Sequence, residues 1–211
     1  LSALLKNSDP QVAQAAARAL GNIGTAGAAR AIETALRKTA PENRLAFCDG
    51  LFRCAEAMAA KGKTRDATAL YDRLRGFKNV PDQVRAGALR GSILVRGKSG
   101  DWLLKESLAT GDEVLFDAAV RAALEMPGVR VTEILAEQLP QLWPDNKIVV
   151  IQALGSRGDM QALPALYLQA NQGPKPNRLA AVRAIAAIGH PLSVKILVEV
   201  VGDLMALDPS G

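Results

Sequence analysis

The chain has 211 residues, 49% hydrophobic but only 4% aromatic, with a formal net charge of +5. That length suits one domain with a continuous core, and a core rich in Ala and Leu favours packed helices over strands. No run approaches the roughly 18 uninterrupted apolar residues of a membrane span.

In chain order, Asp9-Pro10 reads as a helix start, an N-cap followed by Pro at the first helical position. That helix should stop near Gly21 and Gly24, with a second helix over about 27–38. Further starts fall at Pro41, Pro81-Asp82, Asp112, Pro144-Asp145 and Asn177. Interior breaks fall at Gly62, Gly97 to Gly100, Pro127-Gly128, Gly158 and Gly189 to Pro191. The remaining second helices are expected over about 64–75, 99–109, 129–140, 159–171 and 191–205. Gly and Pro thus punctuate the chain at half-repeat length, and no stretch alternates with the period of a strand.

An internal repeat underlies this punctuation. Ala-Ala-Ala-Arg18-Ala-Leu-Gly-Asn-Ile-Gly24 aligns with Ala-Ala-Val-Arg183-Ala-Ile-Ala-Ala-Ile-Gly189, and the pattern recurs around Arg53, Arg90, Arg121 and Gln152. The residue after each anchor is small: Ala19, Cys54, Gly91, Ala122, Ala153 and Ala184. Two before it stand Ala16, Leu51, Ala88, Ala119, Val150 and Ala181. Five after it stand Ile23, Met58, Val95, Met126, Arg157 and Ile188, with Arg157 the one polar exception. These offsets share one helical face, which predicts a buried seam of small and aliphatic side chains.

These residues resemble HEAT repeats, in particular the short phycobilisome-lyase-like (E–Z type) repeats. The segment from Asp9 through Val12, Leu20, Gly21 and Ile23 to Gly24 follows that pattern, Val84-Arg85 supplies its Val-Arg pair, and Ile188-Gly189 its end. Residues 55–74 read more like a tetratricopeptide-type hairpin, with Gly62, Ala67 and Tyr71. The resemblance implies an all-α fold, a right-handed α-solenoid of about six antiparallel helical hairpins. It would form a single domain over 1–211, with repeats near 9–39, 41–76, 81–110, 112–140, 144–172 and 177–205. Its members include scaffolds, adaptors, bilin lyases, DNA glycosylases and metal-dependent hydroxylases, so the fold leaves function open.

Little chemistry stands out. The one histidine, His190, precedes Pro191 at a turn, and paired His-Glu metal motifs are excluded. Cys48 and Cys54 lie on one helix roughly 9 Å apart along its axis, too far for a disulfide within it, and read as small buried residues. Asp112-Glu113 reads as a helix cap. Neither a GxGxxG loop nor a P-loop occurs. No catalytic, metal or cofactor-binding residue is assigned, and the chain reads as a binder rather than an enzyme.

Charge carries the remaining signal. Residues 1–105 hold 18 Lys/Arg against 9 Asp/Glu, whereas 106–211 hold 8 against 12. Residues 61–105 alone carry 11 cations against 4 acids, which suits an anionic partner. Second helices would line the concave face of a HEAT-like solenoid. The candidate partner-binding residues on or next to them are Tyr71, Arg73, Arg75, Lys78, Trp102, Lys105 and Tyr167, with Trp143 on a loop. The first expectation is a protein–protein interaction scaffold whose partner is another protein, or another domain of the same parent chain, with an acidic surface. Nucleic-acid binding through 61–105 is the alternative, and a bilin-lyase-like enzyme the second. The N-terminus, LSALLKNSDP, has neither Met nor an apolar leader and reads as cut from a longer protein. Two cysteines that require no oxidising compartment favour a cytoplasmic setting.

Overall fold

The computed structural model describes residues 1–191 and, beyond them, 193–195, 197, 198, 200 and 202. Part of the second helix expected over 191–205, including all of 203–205, lies outside the described residues. Among the described residues the protein is all-helical and has no strand. Close contacts divide it into two units, one of residues 1–100 with 112–118, the other of 101–111 with 119–211.

Unit 1 contains α1 (Pro10–Ile23), α2 (Ala26–Leu36), α3 (Pro41–Ala60), α4 (Thr64–Arg75) and α5 (Asp82–Arg96). The predicted starts hold closely. Asp9 caps α1, its Oδ1 accepting from Gln11 N–H at 2.8 Å, which satisfies one of the free donors of the first turn. Thr25 does the same for α2 through Ala28 N–H at 3.2 Å. Gly24 ends α1 in the left-handed region, φ 62°. There a side chain would be strained, and a Cβ would stand 2.3 Å from Ala57 Cβ.

Helices α1 and α3 approach unusually closely. A Cβ on Gly21 would lie 2.7 Å from Gly50 O, and one on Gly50 would lie 2.6 Å from Ala17 O. Small residues on facing helices therefore set their spacing. Between α3, α4 and α5, the ring of Tyr71 fills the space above Gly91, where a Cβ would stand 2.1 Å from it. It also meets Phe52 with ring centroids 6.3 Å apart.

Unit 2 contains α6 (Asp101–Leu108), α8 (Val129–Gln138), α9 (Pro144–Arg157), α10 (Leu163–Gln172) and α11 (Lys175–Ile188). Helix α7 (Glu113–Glu125) supplies residues to both units. α9 and α11 repeat the close approach, a Cβ on Gly155 meeting Ala184 Cα at 2.8 Å. Two predicted bounds shift. The second helix expected over 159–171 opens as a 3-10 turn, Met160–Ala162, before α10, and α11 begins at Lys175, behind Pro174, rather than at Asn177.

The predicted seam is real at two of its three offsets. Ala16, Leu51, Ala88, Ala119, Val150 and Ala181 are all buried, as are Cys54, Gly91, Ala122, Ala153 and Ala184, while Ala19 is half-buried. The third offset holds only in part. Met58 and Met126 are buried, but Ile23 is 45% exposed and Val95 and Ile188 are half-buried. Every anchor (Arg18, Arg53, Arg90, Arg121, Gln152 and Arg183) points outward.

Candidate binding cleft

In unit 1 a cleft of about 250 Å³ opens where the end of α2 meets the loop between α4 and α5. Leu36, Phe77 and Val80 give it an apolar lining, and Arg37, Arg44 and Lys78 contribute three cations. The loop is held in place. Arg44 on α3 donates from Nη1 to the carbonyl of Asn79 at 3.0 Å, and Asn79 adopts φ 59°, a left-handed conformation that Asn accepts better than most residues. Arg37 and Lys78 have no acidic partner among the described residues, and both are exposed. Glu33 also lines the cleft, but its carboxylate is paired with Arg73 Nε at 2.7 Å. Further along α2 and α4, Arg30, Glu33, Asp66 and Arg73 border a second hollow of about 340 Å³.

The predicted partner-binding residues divide accordingly. Lys78 is at the cleft mouth. Arg73 is half-exposed beside it, in its ion pair with Glu33. Arg75 lies 3.6 Å from Asp72. Asp72 also accepts from Ser92 Oγ at 2.8 Å and from Arg96 Nη2 at 2.5 Å. Burial alone would raise the Asp72 carboxyl, but these hydrogen bonds and the charges of Arg96 and Arg75 hold it below the usual carboxylate range. Tyr71 is not a surface anchor as expected. It is 6% exposed, because glycine at position 91 leaves a hole that only its ring fills.

In unit 2, Leu103, Leu104, Ser107 and Leu108 turn inward, which leaves Trp102 on the outward side of α6 at 55% exposure. Lys105 bonds Glu137 on α8 at 2.7 Å, and Arg130 on α8 lies 3.5 Å from Asp101 and 2.9 Å from Glu133. Hydrogen bonds from Lys105 and Arg130 hold the Glu137 carboxyl below its ordinary value. Tyr167 is half-buried, its hydroxyl 2.9 Å from Ser193 Oγ. Trp143, at the start of α9, is 75% exposed.

Sequence reasoning missed Arg37 and Arg44. Both lie outside the basic stretch 61–105, and only the fold carries them to Lys78. The basic stretch is also less available than its composition suggests. Arg73, Arg75, Arg85, Arg96 and Lys105 all sit within 4 Å of carboxylates. Arg85 spans Asp82 and the cap residue Asp112, and its hydrogen bond is the main cause that lowers the Asp112 carboxyl.

Among the described residues, no three His, Cys, Asp or Glu side chains gather as metal ligands, and no helix is long and apolar enough to cross a membrane. Both cysteines are fully buried, and burial pushes each thiol up to about 11, away from the reactive thiolate form.

No family model matches the chain, and no curated protein matches it. Among solved structures, human deoxyhypusine hydroxylase in complex with glycerol is similar to it. The two share 16% sequence identity at a TM-score of 0.45, over 90% of this chain and 83% of that one. The all-helical build is coarsely consistent with a HEAT-like repeat fold.

Proposed function

We propose that this chain is a non-catalytic HEAT-like scaffold, a right-handed α-solenoid of about six hairpins, whose second-helix face binds a protein with an acidic surface. Two features support the repeat reading. Glycines in the left-handed region recur at positions 24, 62, 97, 128, 158 and 189, each at the predicted break inside a repeat. The seam positions are small and buried from one repeat to the next. The observation that carries the binding reading is the cleft of unit 1, where Arg37, Arg44 and Lys78 line the same space as Leu36, Phe77 and Val80, and Arg37 and Lys78 have no acid to neutralise them among the described residues. Such a surface favours a partner that brings its own carboxylates.

The test pans a random peptide-display library against the chain and against an Arg37→Glu, Lys78→Glu double variant, beside anisotropy titrations with a generic DNA duplex. Expected is a peptide consensus enriched on the parent and lost on the variant, with weak duplex binding. No enrichment, together with duplex binding that falls steeply between about 50 and 200 mM salt, overturns the scaffold in favour of nucleic-acid recognition.

A further inference from the structure

Resting on that reading, we infer that the unit 1 cleft takes one apolar side chain flanked by carboxylates, presented by an acidic segment of the partner protein. Three properties of the cleft narrow the ligand to this class. The first is size. About 250 Å³ is below the range of roughly 300–1,000 Å³ typical of small-molecule and cofactor sites, yet ample for a single aliphatic side chain. The second is its lining. Leu36 is buried, and Phe77 and Val80 are half-buried against the hydrophobic core of unit 1, so these walls are apolar and packed onto that core. A bare phosphate or a sugar-phosphate backbone gains nothing from covering them, whereas a Leu or Ile side chain gains free energy in proportion to the area removed from water.

The third property is the placement of charge. Arg37, Arg44 and Lys78 come from three different segments, the end of α2, the start of α3 and the loop between α4 and α5, and all three line the same cleft as the apolar wall. Arg44 is oriented by its bond to the Asn79 carbonyl and keeps further N–H groups to offer. Guanidinium groups pair with carboxylates bidentately. Acids beside the inserted residue would therefore find cations from more than one element within the same cleft. The ordered loop lowers the entropy cost of forming these pairs. Arg30, exposed and without an acidic partner among the described residues, lies further along α2, so an acidic segment leaving the cleft in that direction would meet another cation.

The experiment uses the full chain and fluorescein-labelled peptides, each a Gly-Ser frame around Glu-Glu-Leu-Glu-Glu, read by anisotropy. Saturable binding is expected, weakened about tenfold or more, the equivalent of about 1.4 kcal/mol, when the central Leu is replaced by Ser. Replacing the four Glu by Gln should weaken it at least as much, as should Arg37→Glu with Lys78→Glu. Lys61→Glu, an exposed cation away from the cleft, should change it less than about twofold. Equal affinity for the Leu and Ser peptides, or equal loss with Lys61→Glu, overturns the inference and leaves the scaffold reading standing, because the contact would then be diffuse charge. Absence of binding by every acidic peptide also overturns it. The scaffold reading falls as well only if the display library enriches nothing on the parent chain.

Discussion

Arg157 shows how one side chain can replace several. Its guanidinium is nearly buried, with its side chain 7% exposed. Nε donates to Thr132 Oγ1 at 2.7 Å, Nη1 to the carbonyls of Ala123 and Met126, and Nη2 to the carbonyl of Gly128 at 2.8 Å, with Asp159 at 3.4 Å completing the charge balance. The last carbonyls of α7 have no intrahelical donor, and Arg157 supplies one. Replacing it with Met keeps the length but orphans those carbonyls, at a cost of about 2–4 kcal/mol. Arg157→Lys should recover less than half of that, since one ammonium cannot reproduce the planar fork. Urea denaturation of the three proteins checks the order, and a Met variant as stable as the parent contradicts this account. In the repeat register Arg157 was the single polar residue at an apolar offset. That exception was legible in the sequence, but its partners Thr132, Ala123, Met126 and Gly128 were not, because they lie 25 to 34 residues away along the chain.

Among the elements, the crossing of α1 and α3 carries the strongest constraint. At Gly50 a methyl group would lie 2.6 Å from a backbone oxygen of Ala17, an atom that cannot swing aside. Gly50→Ala therefore has to push the helices apart, and about 1–3 kcal/mol of stability should be lost. Gly27, in the first turn of α2, is the control. The nearest atom that a Cβ there would meet is Thr25 Oγ1 at 3.9 Å, so Gly27→Ala should stabilise by about 0.5–1 kcal/mol through backbone entropy alone. The same substitution with opposite signs on thermal melting separates close packing from intrinsic propensity. Helix starts and breaks could be read from Pro, Asp and Gly because those signals are local. The burial of Tyr71 could not be, since it depends on an absent side chain at Gly91, on the next repeat. For the same reason the cleft escaped notice: Arg37, Arg44 and Lys78 are distant in sequence, and only the packed helices bring them together.

At the scale of the whole molecule, Cys48, Cys54 and Tyr71, three groups that burial shifts upward on balance, all lie in unit 1. Burial pushes Cys48 and Cys54 up to about 11 and Tyr71 up to about 12, from ordinary values of 9.0 and 10.0. The folded unit keeps these protons while the unfolded chain releases them. Unfolding is then coupled to proton loss, and stability falls as pH rises from about 9 through 12. Below about pH 9 the full contribution is present. At about pH 10.5 the three groups together withdraw on the order of 5 kcal/mol, comparable with the whole stability of a small domain. Both tryptophans, Trp102 and Trp143, belong to unit 2, so tryptophan fluorescence reports that unit while circular dichroism reports both. Urea titrations under reducing conditions at about pH 8 and about pH 10.5 should show the dichroism midpoint dropping sharply and the fluorescence midpoint changing less. Cys48→Ala with Cys54→Ala removes two of the three linked protons and should flatten most of the pH dependence, whatever its effect at neutral pH. If the double variant loses stability with pH as steeply as the parent, burial of these thiols is not what limits the protein in alkali, and if both midpoints fall together, the two units unfold as one.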